Sequence, residues 1–226
     1  MPKTKSTRKN NHALHSKLFL PLLIAFIILA TFFATSDFKL PSLAAKGGSS
    51  GGSQPPTNPT PTPVPGNLLT NSSFESYSGR EKTPTNWVQH YDQPNKLAQT
   101  VCNDSHSGNC SYYVDGKHFN AIKQYVSSSV PAGGTITVSG WGKGQDVADN
   151  TNPATGSFWV QAWIHYTDGS IEYGLHADFD NGTHDYQFKE ASFTVSKPVE
   201  GFTYFVKFGK TGYAWFDDVN LKVVTP

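Results

Sequence analysis

After Gly66 no stretch of this 226-residue chain sustains a helical period. Apolar residues alternate with polar ones in short runs, and clusters of Gly, Asn, Asp and Pro separate the runs. A period of two sends successive side chains to opposite faces of a strand, so the pattern predicts strands throughout. The clearest runs lie at 135–139, 158–166, 185–195, 203–208 and 214–223. Asp168-Gly169 and Asn181-Gly182 stand between runs and carry hairpin-turn chemistry. Aromatics make up 13% of the chain while Met occurs once, so the expected core is aromatic and β-branched. Residues 67–226 are enough for one core. The fold class is all-β, an antiparallel β-sandwich of two sheets with about four or five strands each.

The residues ahead of that domain have another character. Residues 1–17 carry Lys3, Lys5, Arg8, Lys9 and Lys17 and no acid, and residues 18–35 read LFLPLLIAFIILATFFAT without a charge. A helix of that length spans about 27 Å, enough for a bilayer core. The basic flank predicts that 1–17 stays inside as a cytoplasmic segment and that everything after Thr35 lies outside. The expectation is an uncleaved signal anchor, a transmembrane helix over 18–35. A cleaved signal peptide is the competing reading, although its small-residue triplet Ser42-Leu43-Ala44 lies well beyond the apolar run. The domain is then displayed on the extracellular face of the cytoplasmic membrane, or secreted. Residues 36–66 are read as a disordered linker, flexible in its Gly/Ser half and PPII-like in its Pro/Thr half. From Gly66 onward eleven Lys/Arg stand against sixteen Asp/Glu, a balance that argues against a nucleic-acid partner.

Outside the cytoplasm the isolated pair Cys102 and Cys110 is expected to form a disulfide. The run Phe158–Tyr166 is the most informative strand. Phe158, Val160, Ala162 and Ile164 share one face and make an ordinary core; Trp159, Gln161, Trp163 and His165 share the other. A core would not choose Gln and His, and a solvated face would not choose two Trp. A sugar ring needs both kinds of surface, since its C–H face packs on an aromatic while its hydroxyls demand donors and acceptors. In the run 203–208, Phe205 and Lys207 share the face of Thr203 and join the Trp/Gln/His surface if the strands pair in one sheet. Tyr173, just past Asp168-Gly169, closes one end. The competing reading is a second small core, with Trp159 and Trp163 covered by a loop.

Catalysis is not expected. Asp178 and Asp180 are spaced to share a strand face, as a glycosidase pair would be, but Asn181-Gly182 follows and a solvated turn accounts for both. No Ser-His-Asp ordering, H-E-x-x-H or phosphate-binding glycine loop occurs.

A set of segments then carries a family resemblance: Asn67-Leu68-Leu69-Thr70-Asn71-Ser72-Ser73-Phe74-Glu75, Pro84-Thr85-Asn86-Trp87, His106-Ser107-Gly108, Gly134 to Trp141, and Ala214-Trp215-Phe216-Asp217-Asp218-Val219-Asn220-Leu221. In order and spacing the domain resembles the carbohydrate-binding modules of the CenC-like group, families 4, 9, 16 and 22. The resemblance implies a jelly roll with a galactose-binding-like fold and a polysaccharide partner. It also implies a cleft on the concave sheet lined by Trp159, Gln161, Trp163, His165, Tyr173 and Lys207, with Val88 and His90 at the rim. Trp87 matches a core position, and Trp141 falls on the opposite sheet. The resemblance further implies a structural Ca2+ ion held by the Ser73 carbonyl, the Glu75 side chain, the Gly108 carbonyl and Asp217. Asp217 shares parity with Val219 and Leu221 and is therefore expected to point inward. Backbone N–H groups are the other means of holding it. These modules usually accompany a glycoside hydrolase, and no catalytic segment is recognised in this sequence. The rival function is adhesion, with a protein partner gripped by the same Trp-rich face.

Overall fold

The computed structural model describes residues 64–90, 97–150 and 156–226. The basic segment 1–17, the expected anchor 18–35 and nearly all of the linker lie outside the described residues. Within them the secondary structure is β only: β1 (Tyr77–Ser78), β2 (Thr83–Pro84), β3 (Val88–Gln89), β4 (Ala98–Cys102), β5 (Cys110–Asp115), β6 (Asn120–Val130), β7 (Thr135–Ala148), β8 (Phe158–Tyr166), β9 (Ile171–Asp178), β10 (Gly182–Thr194), β11 (Val199–Phe208) and β12 (Thr211–Val224). No helix among the described residues is long and apolar enough to cross a membrane.

The strands form two five-stranded antiparallel sheets, ordered β10-β7-β12-β5-β4 and β3-β6-β11-β8-β9, beside the small ribbon β1-β2. Their inner faces meet in one core. Phe158 of β8 is the aromatic hub, with ring centroids 5.1 Å from Phe179, 5.3 Å from Phe208 and 5.5 Å from Phe216 of the other sheet. Tyr204 crosses the sandwich to donate its hydroxyl to the Ser139 carbonyl at 2.9 Å, which satisfies a polar group where none would otherwise be tolerated. Trp87 is buried against Phe74 and Tyr204, the core position expected for it.

Three departures from the sequence reading have physical causes. Strand β7 runs well past Ser139, through Gly140, Gly142 and Gly144, where glycine suggested a break. A Cβ on Gly142 would lie 2.6 Å from the Phe179 ring, so glycine is there to admit that ring and the strand continues beside it. Second, Asp168-Gly169 does close a hairpin between β8 and β9, with Gly169 at φ 82°. Asn181-Gly182 does not: it carries the chain from β9 in one sheet to β10 in the other. Third, Asp217 is not on the inner face. It pairs with Trp141, and a bulge follows, with Asp218 at φ 44° and a register shift before Asn220. The extra residue reverses parity, so Asp217 lies opposite in sense to Val219 and Leu221.

Truncating the hub should leave a large cavity. Phe158→Ala is expected to destabilise the domain by about 3–5 kcal/mol, read as a lowered urea midpoint at unchanged m-value. A loss below about 1 kcal/mol would mean that the two sheets do not share this core.

Candidate functional site

Strand β11 runs between β6 and β8, and its register decides which side chains meet. Thr203 lies opposite Trp163, Phe205 opposite Gln161 and Lys207 opposite Trp159, while β9 brings His176 opposite Gln161 and Asp178 opposite Trp159. The seven residues expected to bind sugar, namely Trp159, Gln161, Trp163, His165, Tyr173, Phe205 and Lys207, therefore share the outer face of one sheet. Trp163 is its centre. The indole is half-buried, set edge-on to Tyr173 at 5.0 Å, tilted on Phe205 at 4.4 Å and flanked by His90 at 5.7 Å. Tyr173 is 52% exposed and closes that end of the face.

Two of these residues are not where a sugar would touch them. Phe205 is completely covered, by Trp163, by His90 at 4.9 Å and by the Lys207 ammonium 4.4 Å from its ring centroid. It is the floor of the face and not a stacking surface. Gln161 is 93% buried by the same crowding, and its amide acts as a bracket. Its Nε2 donates to the Tyr173 carbonyl at 2.6 Å while its Oε1 accepts from Lys207 Nζ, fixing one residue on each side of Trp163. His165 Nε2 and Thr203 Oγ1 share a hydrogen bond of 2.8 Å. At the far end Trp159 packs on His176 at 4.9 Å, and its buried indole N–H finds no acceptor among the described residues. Val88 is exposed on the edge strand β3, opposite Lys123.

Lys123 and Tyr125 of β6, with His176 and Asp178 of β9, belong to the same face and were not anticipated. Their signal was present for β6, since Lys123, Tyr125 and Ser127 alternate with Ile122, Gln124 and Val126. The triple serine that follows obscured the run. The face is cationic at its centre. The charges of Lys123 and Lys207, after burial itself, hold the His90 imidazole below its ordinary value. Burial pushes the Lys207 ammonium down to about 8.

Of the expected calcium site, Glu75, Gly108 and Asp217 meet at the loop 103–109, which the disulfide Cys102–Cys110 closes. Glu75 Oε1 accepts from the backbone N–H groups of Asn109 and Cys110, each at 2.9 Å. Asp217 Oδ2 accepts from those of His106 at 2.8 Å and Ser107 at 3.1 Å, and its Oδ1 from Asp218 at 2.8 Å. Asp217 is thus fully buried, as expected, but by this loop instead of the core. His106 stacks on Trp141 at 3.7 Å and completes the cover, on the sheet opposite the Trp163 face. Burial, then the charge of Asp218, pushes the Asp217 carboxyl up to about 8 despite its three N–H donors. Among the described residues no group of three or more His, Cys, Asp or Glu could hold a metal. In the structure backbone N–H groups engage both carboxylates, the other means of holding Asp217, and a cation at this loop would have to draw on carbonyl oxygens beside them, donors of the kind calcium takes.

The Lys207 ammonium sets a pH test. Its folded value of about 8 lies below the ordinary 10.5, so the folded chain loses this proton first. The desolvation cost is in full force below about pH 8 and fades as pH rises towards 10.5. Lys207→Met is therefore expected to gain on the wild type in denaturant midpoint most at pH 7 and least near pH 10. A difference independent of pH would mean that the ammonium is not desolvated.

No family model matches the chain, and no curated protein matches it by sequence. Solved structures similar to it include carbohydrate-binding modules. A family 16 carbohydrate-binding module is 18% identical, with 70% of this chain and 99% of that one covered at a TM-score of 0.49. A family 61 module in complex with beta-1,4-galactotriose is 18% identical, with 69% and 97% covered at 0.43. The CBM22-1 xylan-binding domain from Paenibacillus barcinonensis Xyn10C is 12% identical, with 69% and 93% covered at 0.45.

Proposed function

We propose that the Trp163 face binds a polysaccharide without chemically altering it, as a carbohydrate-binding module of jelly-roll, galactose-binding-like type. One observation carries this reading: a half-exposed indole held upright between Tyr173 and Phe205, with an ammonium 5.1 Å from its ring centroid. A pyranose stacked on Trp163 buries its C–H face there and presents its hydroxyls to Lys207, to the His165–Thr203 pair and to the Tyr173 hydroxyl. Gln161 and Phe205 act beneath the ligand as positioning residues. Gln161, Lys207, His165 and Thr203 are already held by neighbours on this face, which limits the ordering cost of binding. Residues 18–35 and 36–66 serve, in this reading, to display the domain on the outer side of a membrane.

Calcium is part of the proposal as a structural ion. Glu75 and Asp217 would hold it with the carbonyls of Ser73 and Gly108, offsetting the charge of a carboxylate that burial otherwise drives towards protonation. The ion supplies local neutralisation and rigidity, and no chemistry.

Isothermal titration of the full chain in mild detergent against soluble polysaccharides should give saturable binding. Trp163→Ala should weaken it by about tenfold or more, the loss of one stacking aromatic, with an unchanged near-ultraviolet spectrum outside the indole contribution. Silence across neutral and acidic polymers alike, from folded protein, would transfer the face to a protein partner. In a separate thermal melt, chelation with EGTA is expected to lower Tm and calcium to restore it. In Glu75→Gln that response should shrink; a wild-type Tm indifferent to calcium would remove the ion from the account.

A further inference from the structure

We propose that the glycan bound by this face is acidic, with a uronate carboxylate received by Lys207 and supported by Lys123. The inference rests on the polysaccharide reading and specifies its ligand.

The chain provides its own contrast. Among the described residues Lys117, Lys143, Lys189, Lys197 and Lys210 each hold an Asp carboxylate at 2.8–2.9 Å. Lys82, Lys123, Lys207 and Lys222 hold none among the described residues, and of these four Lys82 and Lys222 are exposed while Lys123 and Lys207 are half-buried. Among the described residues two lysines lie over tryptophans, Lys143 over Trp215 at 5.3 Å and Lys207 over Trp163 at 5.1 Å. Lys143 has Asp104 at 2.8 Å to neutralise it. Lys207, equally half-buried, has only the neutral Gln161 carbonyl among the described residues. The acid in register with it is Asp178, two strands away across Trp159, and His176 engages that carboxylate at 3.2 Å. Strand spacing puts that separation at about 10 Å.

This arrangement is not the by-product of a basic domain, since acids outnumber bases from Gly66 onward. A partly buried ammonium without a counter-charge is disfavoured, as the direction of the Lys207 shift indicates, and a ligand carboxylate would reverse that disadvantage. Hydroxyl groups would satisfy its hydrogen bonds but leave its charge uncompensated. Lys123 lies in register with Phe205 on the adjoining strand, and its charge and that of Lys207 are both felt at His90. Lys207 thus lies beside the proposed sugar-stacking indole, with Lys123 on the next strand. A pyranose on Trp163 directs a ring substituent to them, and a C5 carboxylate is the substituent that answers a charge.

The test measures binding of the full chain in mild detergent to polygalacturonate, to the same polymer fully methyl-esterified, to dextran sulfate and to a neutral β-glucan. Polygalacturonate is expected to bind about 10- to 100-fold more tightly than its ester, the range for a hydrogen bond to a charged group. The difference should diminish with added salt. Lys207→Met should abolish the preference while Lys207→Arg largely keeps it, and Lys123→Met should reduce it. Equal affinity for acid and ester, or a preference untouched in Lys207→Met, would overturn the proposal yet leave glycan binding standing. Preference for the β-glucan would do the same. Strong binding of dextran sulfate that survives Trp163→Ala would show simple ion exchange and would also overturn it. Binding of none of the four would sink the polysaccharide reading itself.

Discussion

The antiparallel hydrogen-bond ladder that locks β11 between β6 and β8 is the constraint on which the rest of this domain depends. One side of β11 supplies Phe202, Tyr204, Val206 and Phe208 to the core, and the other supplies Thr203, Phe205 and Lys207 to the outer face. A slip of one residue would exchange the two sets. The core resists it, because Lys207 would then have to enter a closed aromatic interior. Core packing and site assembly are therefore one and the same condition, and the indole of Trp163 stands where it does because Phe208 and Phe158 are satisfied on the other side of the sheet.

The face is built in two tiers. Beneath lie groups that solvent does not reach, Phe205 and the Gln161 amide. Above them stand Trp163, Tyr173 and His165, which solvent does reach. The lower tier converts flexible side chains into fixed ones: a single amide ties Lys207 on one flank and the Tyr173 backbone on the other. On the opposite sheet the same economy of parts is used differently. There a disulfide-closed loop lies over Asp217 and presents consecutive N–H groups to two carboxylates.

Much of this was legible in the sequence. The alternation from Phe158 to His165 assigned these side chains to the correct faces, because strand periodicity is local and needs no knowledge of neighbours. Phe205 and Lys207 followed from the same rule once pairing with β8 was assumed. What periodicity does not report is cover: Phe205 reads as surface and is buried, since His90 and Trp163 arrive from distant parts of the chain. Asp217 failed for another reason. Parity counting from Val219 is valid only along an unbroken strand, and the bulge at Asp218 inserts one residue. The glycines of β7 misled similarly, because a gap left for Phe179 is indistinguishable in sequence from a turn.

The attachment of Asn67 has a mechanical consequence. Its side chain donates to the Val219 carbonyl at 3.0 Å and accepts from the Leu221 N–H at 3.1 Å, and Leu68 N–H donates to the Leu221 carbonyl at 2.9 Å. Tension on the chain ahead of Gly66, as the proposed tether would apply it, would thus be delivered to β12, in the sheet that does not carry Trp163. It would strain the bonds that Asn67 and Leu68 make to that strand. The strands that hold the aromatic face lie off that line of force, so a ligand bound there as proposed would be gripped by the layer that is not being pulled.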